Sequence, residues 1–484
     1  MPRILSSADL HDYQGDGIDF LLSHDRGGLF AGMGLGKTAM TLTATTELMD
    51  FGDIERQLII APKRVATSVW RQEAKIWTHT KHLKINAAVG TPKERRAALL
   101  QSLSGKTGIC TINPENLEWM MKIFKEEKIR WPFDSIVFDE FSMFKHHKST
   151  RSRIMHGWCC DRKTTRKGIA TVLKSPVDRV WGLTATPASS GLENLFSQIK
   201  MLDSGQRLGT HMTHFRNAFM RNVAPPGVQW GDWKPQEDAE KRIYRAIADI
   251  TKVMRPCDYL DMPELVQNDI LVEIPQKVRT NMKVLERDFL LELEDDPDKA
   301  IVASNGGALC NKLLQYSNGA AYVGDPSDPD YEKKWEPVHD SKLQALAELD
   351  EITDRPMLVA YWFQSDLERI KKKFPKWTVL DKKGSQIDDW NEGKIHRLIV
   401  QPASAAWGVN LQYGGNVITM FSMFWSLEIY LQFIARLWRQ GQDDTVSVNR
   451  ILVRDSIEQR VATSLKDRAI VQDDLLEYLS ENGQ

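Results

Sequence analysis

The segment Ala31-Gly-Met-Gly-Leu-Gly-Lys-Thr38 narrows the fold more than any other, because it sits between a short apolar run, Gly28–Ala31, and a helical run, Ala39–Met49. A glycine-rich turn in that strand-to-helix setting is a phosphate-binding loop. Its glycines, Gly34 and Gly36 among them, let backbone N–H groups fold around phosphates, and the helix N-terminus adds favourable partial charge. Lys37 is expected to reach the β- and γ-phosphates of ATP, and Thr38 to hold Mg²⁺.

Such a loop belongs to a parallel sheet, and the rest of the chain supplies one. Short β-rich runs alternate with helical patterns at Gln57–Ala61, Gly108–Thr111, Ser135–Phe138 and Val180–Thr184. Each run ends where polar or glycine residues begin, which marks the carboxyl edge where doubly wound sheets bind ligands. A second set follows at Ile270–Ile274, Met357–Tyr361, Leu398–Gln401, Asn416–Phe421 and Val446–Leu452. The expected fold class is therefore α/β, with two parallel-sheet lobes. The 484 residues agree, since a single core stops growing at roughly 250–300 residues. The expected divisions are a first lobe over 1–202, a helical bridging insertion over 203–264 and a second lobe over 265–484. Gly324–Pro337 reads as a surface loop.

Asp139-Glu140 follows the run Ser135–Phe138 and places two carboxylates at the tip of a buried strand. Burying bare carboxylates is costly without a cation. Taken alone the pair is equally a solvated turn; the upstream phosphate loop favours Asp139 as a Mg²⁺ ligand and Glu140 as the group that orients the attacking water. Near the C-terminus, Gln432-Phe-Ile-Ala-Arg-Leu-Trp-Arg-Gln-Gly-Gln442 carries Arg436 and Arg439 three residues apart, neighbours on one face if the segment is helical. They form either a solvated basic face or a pair that neutralises γ-phosphate charge. If the phosphate loop and these arginines belong to different lobes, hydrolysis requires lobe closure.

In order along the chain, these segments resemble the motifs of superfamily-two helicase-type ATPases of the Swi/Snf-like group, in the compact form found in bacteria and their viruses. Leu10-His-Asp-Tyr-Gln-Gly-Asp-Gly17 resembles the adenine-reading Q motif, which casts Gln14 as the base contact. The phosphate loop is motif I. Leu58-Ile-Ile-Ala-Pro62, with Trp70 and Glu73, resembles motif Ia, and Ile109–Ile112 resembles Ib. Asp139-Glu140-Phe-Ser142 stands where the family has a DEAH-like box and departs from it at the third and fourth positions. Leu183-Thr-Ala-Thr-Pro187 resembles motif III, Tyr361–Gln364 motif IV, and Ser404–Leu411 motif V, with Trp407 where glycine is usual. Trp425 and Gln432–Gln442 fit motif VI and the tryptophan before it.

The resemblance implies two RecA-like lobes and an ATP- and Mg²⁺-dependent, nucleic-acid-stimulated ATPase. It makes Lys37, Glu140, Arg436 and Arg439 catalytic, and Gln14, Gly34, Gly36, Lys37, Thr38 and Gln432 nucleotide contacts. It also implies a double-stranded DNA translocase without sequence specificity, with Lys63 and Arg64 beside motif Ia and Asn410 in motif V among the DNA contacts. A strand-separating helicase needs a wedge that the sequence does not display. An ATP-dependent DNA clamp that recruits a nuclease would have no use for intact Lys37, Glu140, Arg436 and Arg439. A nuclease, replication or recombination protein acting in trans is an expected partner.

Composition adds little about DNA: 64 basic against 65 acidic side chains leave a net charge of −1, so any basic footprint must be local. One candidate runs from residue 145 to 179, where Lys145, His146, His147, Lys148, Arg151, Arg153, Arg162, Lys163, Arg166 and Lys167 cluster against few acids. It is a solvated loop or a phosphate contact. His146-His147 beside Cys159-Cys160 fits zinc-ligand spacing poorly. Trp230 and Trp233, with Arg216 and Arg221, could pack in a core or clamp DNA. Five cysteines without CxxC pairing, no apolar leader and no membrane-length apolar stretch lead to the expectation of a cytoplasmic protein.

Overall fold

The computed structural model describes residues 4–166, 169–223, 233–295, 302–323, 334–381, 383–405 and 409–482. Two compact units emerge: residues 1–260 together with 468–484, and residues 261–467. No helix among the described residues is long and apolar enough to cross a membrane.

The first unit contains strands β1 (Arg26–Ala31), β2 (Arg56–Ile60), β3 (Ile85–Ala87), β4 (Gly108–Ile112), β5 (Ser135–Asp139), the hairpin β6 (Arg162–Arg166) and β7 (Ile169–Leu173), β8 (Arg179–Leu183), the hairpin β9 (Met220–Asn222) and β10 (Trp233–Pro235), and β11 (Thr251–Met254). Seven of them form one parallel sheet in the order β11-β1-β8-β5-β2-β4-β3. The central strands are buried nearly throughout, which is why they read as continuous apolar runs rather than alternating ones. All five runs expected from the sequence are strands here. β3 and β11 were not foreseen: β3 is only three residues long, and β11 lies inside the segment expected to bridge the lobes.

That segment differs from expectation in a second way. Its helices Met212–Phe219 and Ala239–Ile247 bury Phe215, Phe219, Ile243 and Ile247 in the core of the first unit. β11 pairs with β1 through Gly28–Thr251 to Ala31–Met254. Residues 203–260 therefore belong to the first unit, and the division falls after Leu260. The C-terminal helix Ile457–Asn482 also departs from the expected boundary. It starts in the second unit, but its part from Arg468 onward belongs to the first, where Leu475 and Leu479 are buried.

The second unit contains β12 (Leu265–Val272), the hairpin β13 (Ala320–Val323) and β14 (Lys334–Pro337), β15 (Met357–Ala360), β16 (Thr378–Val379), β17 (Arg397–Val400), β18 (Val417–Met420) and β19 (Val446–Val453). Six form a parallel sheet ordered β12-β19-β18-β15-β17-β16. The fold class is the expected one, α/β with two parallel-sheet, RecA-like lobes. The end of the expected surface loop, Lys334–Pro337, is a strand, while residues 324–333 lie outside the described residues.

A polar network runs through the centre of this unit. Lys342 and Glu458 are both fully buried, with Nζ and Oε1 2.5 Å apart. Lys342 Nζ also donates to Asn318 Oδ1 at 3.0 Å, and Asn318 Nδ2 donates to Asp366 Oδ2 at 3.0 Å. Ser422 Oγ and the Phe363 N–H donate to the same Asp366 oxygen, at 2.7 and 2.9 Å. Burial pushes the Lys342 ammonium below the usual lysine range, against the pull of Glu458. Removing one member of a buried pair leaves an uncompensated charge, which costs about 3–5 kcal/mol. Glu458→Gln is expected to lower stability by that amount in urea unfolding. The double variant Lys342→Met/Glu458→Leu is expected to recover most of the loss; no recovery would mean that packing, not charge, sets the cost.

Candidate nucleotide site

Three strands deliver the site in the first unit. β1, β8 and β5 are neighbours, and their register places Leu29, Leu183 and Asp139 at one level. The phosphate loop, the Thr184–Pro187 turn and the Asp139-Glu140 pair therefore leave the sheet side by side at its carboxyl edge. Gly182 makes this possible: a Cβ there would lie 2.1 Å from Phe141 Cδ1, and Phe141 is fully buried beneath the turn.

Gly34 and Gly36 adopt φ of +88° and +80°, a region open to glycine at no steric cost. Gly36 caps the helix Lys37–Phe51. Lys37 Nζ donates to the Ala31 and Gly32 carbonyls at 2.8 and 3.1 Å, so the ammonium is folded over the loop. Thr38, half-buried, stands in the first turn of that helix.

Gln14 lies under this loop and is 6% exposed. Its Oε1 accepts from the His11 N–H at 3.0 Å, and its Nε2 donates to the Leu35 carbonyl at 3.2 Å. A carboxamide offers two donor hydrogens and two acceptor lone pairs. One donor and one acceptor therefore remain for a ligand.

Asp139 is 7% exposed and accepts a 2.9 Å hydrogen bond from Trp70 Nε1 at Oδ2. Burial pushes its carboxyl above the ordinary range; the Trp70 hydrogen bond and the Lys37 charge pull the other way. Glu140 has φ of +65°, an uncommon conformation for a residue with a side chain and one that costs about 1–2 kcal/mol. The turn is over-determined by aromatic packing, with Phe138 and Phe141 stacked at 5.0 Å and Phe138 and Phe144 edge-to-face at 4.7 Å between centroids. Such strain concentrates at functional positions.

The Thr184–Pro187 turn is held from a distant part of the chain. Gln472 Nε2 donates to the Ala185 carbonyl at 3.2 Å, and Gln198 Nε2 donates to the Pro187 carbonyl at 2.8 Å. Gln472 carries no signal in the sequence, because the contact spans 287 residues. Trp70 was visible as part of motif Ia, but its bond to Asp139 was not.

In the second unit, Gln432 lies on the helix Leu427–Ile434, fully buried, with both side-chain amide atoms outside any hydrogen bond. Arg436 and Arg439 do not share a helical face, contrary to expectation. The helix ends at Ile434, and tight i to i+3 bonds, Arg436 N to Phe433 O at 3.0 Å and Leu437 N to Ile434 O at 3.1 Å, turn the chain. The turn is anchored by Trp438 Nε1, which donates to the Pro263 carbonyl at 2.7 Å, and by Gly441 at φ of +85°. Arg436 donates to the Gln432 and Val409 carbonyls at 3.0 and 2.9 Å. Burial lowers Arg439 below the usual guanidinium range, with Tyr413 acting in the opposite direction.

The expected DNA-contacting residues are dispersed. Lys63 is exposed and Arg64 half-buried just beyond β2. Arg151 and Arg153 lie on the helix Thr150–Cys159, with Arg151 4.0 Å from Glu115. Arg162 and Lys163 are in strand β6. Asn410 is exposed, and its Oδ1 accepts from the Gln412 N–H at 3.3 Å. Lys167, Trp230 and Trp407 lie outside the described residues.

The family model described as the SNF2-related domain matches residues 13–291. The chain is 35% identical over 469 residues to the protein p41 of Acyrthosiphon pisum secondary endosymbiont phage 1, covering 96% of each. It is 22% identical over 489 residues to the ISWI chromatin-remodeling complex ATPase ISW1 of Saccharomyces cerevisiae, covering 94% of this chain but 39% of that one. Among solved structures, the Sulfolobus solfataricus SWI2/SNF2 ATPase core in complex with dsDNA aligns over 99% of this chain and 96% of that one, at 17% identity and a TM-score of 0.42. On the family model and the full-length phage relative, the chain belongs to the SNF2-related family of superfamily-two helicase-type ATPases.

Proposed function

We propose that the chain is an ATP-driven motor that moves along double-stranded DNA. The observation that carries the reading is the shared carboxyl edge of β1, β8 and β5, which sets Lys37, the Thr184–Pro187 turn, Asp139 and Glu140 side by side in a member of this family. Lys37 exchanges its two carbonyl partners for β- and γ-phosphate oxygens. The remaining donor and acceptor of Gln14 match the N7 acceptor and N6 donor of adenine, whereas guanine offers two acceptors at those positions and is refused.

The donor set suits Mg²⁺. Desolvation outweighs the Trp70 hydrogen bond and the Lys37 charge at Asp139, so a divalent cation would offset a cost that these two leave standing. Thr38 and Asp139 would hold it, and bound there it would neutralise charge on the β- and γ-phosphates. Glu140 orients the attacking water. Arg436 and Arg439 supply positive charge to the γ-phosphate; burial disfavours the Arg439 cation, and an anionic partner reverses that penalty. ATP turnover is thereby tied to closure of the two lobes, and so to movement. Relatives such as ISW1 are named as chromatin-remodeling ATPases, which is consistent with a duplex track, and a partner protein would supply any further chemistry on the DNA.

The reading is tested by steady-state ATPase rates without nucleic acid, with single-stranded DNA, with duplex DNA and with RNA at one salt concentration. Stimulation by duplex DNA is expected; stimulation by single strands or RNA alone would replace the translocase with a strand-separating helicase. Lys37→Ala is expected to abolish turnover and weaken ATP binding, and Glu140→Gln to bind ATP without turning it over. Arg439→Ala should reduce turnover by about 10³-fold or more while ATP binding stays close to normal. Normal turnover in any of the three removes that residue from the machinery.

A pH dependence follows from Asp139. Its folded-state pKa lies above the unfolded value, so its contribution to stability is fully present below the unfolded pKa and is lost as pH rises through the folded one. Trp70→Phe removes a donor to the carboxylate and raises that pKa further. Its destabilisation in urea is expected to be small in acid and to grow to about 1–2 kcal/mol at neutral pH. An equal loss at both would show that the bond does not act on the carboxylate.

A further inference from the structure

Two clusters that the sequence sets 64 to 88 residues apart, Lys145–Lys148 and Met212 with Met220 and Trp233, meet in one cleft of the first unit. Its volume is about 490 Å³. Its lining comes from the segment leaving the Asp139-Glu140 turn, from the start of helix Glu193–Asp203, and from an apolar floor of Met212, Met220 and Trp233. Lys145 Nζ lies 3.3 and 3.2 Å from the Ser189 and Ser190 hydroxyls, so the cleft joins the chain following the carboxylate pair to the chain following the Thr184–Pro187 turn.

The chemistry of the lining is divided. Lys145 and Lys148 put two positive charges on one side. The acid that faces them, Glu193, is engaged by Arg216 at 2.8 and 3.3 Å and leaves little net negative charge. His146 and His147 are held below the usual imidazole range, first by burial and then by neighbouring cations, with Glu193 pulling the other way at His147. The floor is apolar and aromatic, and the Arg216 guanidinium lies 5.3 Å from the Trp233 ring centroid. Asn194, 6% exposed, lines the cleft, and its Nδ2 is buried without a hydrogen-bond partner. An unsatisfied buried donor is costly, and an acceptor brought by a ligand removes that penalty.

Cations on one side, an aromatic floor and a buried donor between them match one ligand unit: a phosphate joined to an unstacked base. A phosphodiester of intact duplex would use the lysines and leave the floor and Asn194 without a role. We propose that this cleft holds one nucleotide of a single DNA strand, with its phosphate at Lys145 and Lys148, its base on the Met212, Met220 and Trp233 floor, and Asn194 Nδ2 donating to it. The proposal rests on the reading that the chain binds DNA, and adds that one strand is gripped by an unpaired nucleotide.

The test compares binding of a fluorescein-labelled oligothymidine, a duplex with a single-stranded tail and a blunt duplex to the full chain without nucleotide. Lys148→Glu changes an exposed residue, and Trp233→Leu keeps the floor apolar while removing the stacking face. Each is expected to weaken oligothymidine and tailed-duplex binding on the order of tenfold, with blunt-duplex binding changed much less and the melting temperature preserved. Asn194→Asp, which sets a carboxylate where the ligand brings an acceptor, should do the same. Equal weakening for blunt and single-stranded DNA would mean that only duplex backbone touches the cleft, and unchanged binding throughout would mean that it holds no DNA; either overturns the proposal while leaving duplex-stimulated ATPase intact. Displacement of the oligothymidine by polyglutamate as readily as by unlabelled DNA would overturn it in favour of an acidic peptide. A wild-type chain that binds none of the three DNAs removes the DNA reading and the cleft assignment together.

Discussion

Parallel pairing of β1, β8 and β5 is the constraint on which the rest of the first unit depends. Strands covered on both faces must be apolar along their length, so charged and polar groups can appear only where the strands end. Because the three strands are in register at Leu29, Leu183 and Asp139, those ends coincide. The buried Phe141 ring then needs Gly182 beneath it, and the same ring, stacked on Phe138, fixes a turn in which Glu140 takes a positive φ. The strain at Glu140 persists because the surrounding aromatic packing leaves the backbone no cheaper alternative.

The second unit solves a similar problem with charge. Asp366, Asn318, Lys342 and Glu458 tie the turn after β15, the turn after β18 and the start of the C-terminal helix into one hydrogen-bonded chain. Such a network adds little net stability relative to well-packed apolar residues of the same volume. What it adds is discrimination: a slipped register strands a buried ammonium or carboxylate, whereas an apolar core tolerates small slips.

The sequence made legible those features set by short-range chemistry. The phosphate loop is recognisable because two glycines with positive φ, a lysine and a helix start lie within a few residues, and nine strands were readable as apolar runs because their burial leaves little alternation to confuse; the edge strand β12, Leu265–Val272, has no buried residue and was anticipated only at its end, as Ile270–Ile274. What escaped depends on separation. β11 is four residues long and gains its place from β1, more than two hundred positions earlier; in isolation it reads as part of a helical insertion. The bend at Ile434 escaped because helix-compatible residues continue past it, and the anchors that end the helix are the Pro263 carbonyl and Gly441 rather than any local stop signal. The basic stretch was legible as a cluster of charge, but not as one wall of a cleft whose floor comes from Met212 to Trp233.

The loop after β8 touches both the candidate nucleotide site and the cleft. Gln472 holds its Ala185 carbonyl, Gln198 holds its Pro187 carbonyl, and Lys145 reaches its Ser189 and Ser190 hydroxyls. Its first residues stand beside the phosphate loop and the carboxylate pair, and its last residues line the cleft. A ligand that draws Lys145 away from the serines acts on one end of a segment whose other end borders the nucleotide site, and binding free energies linked in this way are reciprocal. If both proposed ligands bind, nucleotide occupancy would alter affinity at the cleft by the same factor by which cleft occupancy alters affinity for nucleotide. The motor proposed above would need a linkage between ATP and DNA, and the nine residues 184–192 between β8 and the next helix are a short segment to carry it.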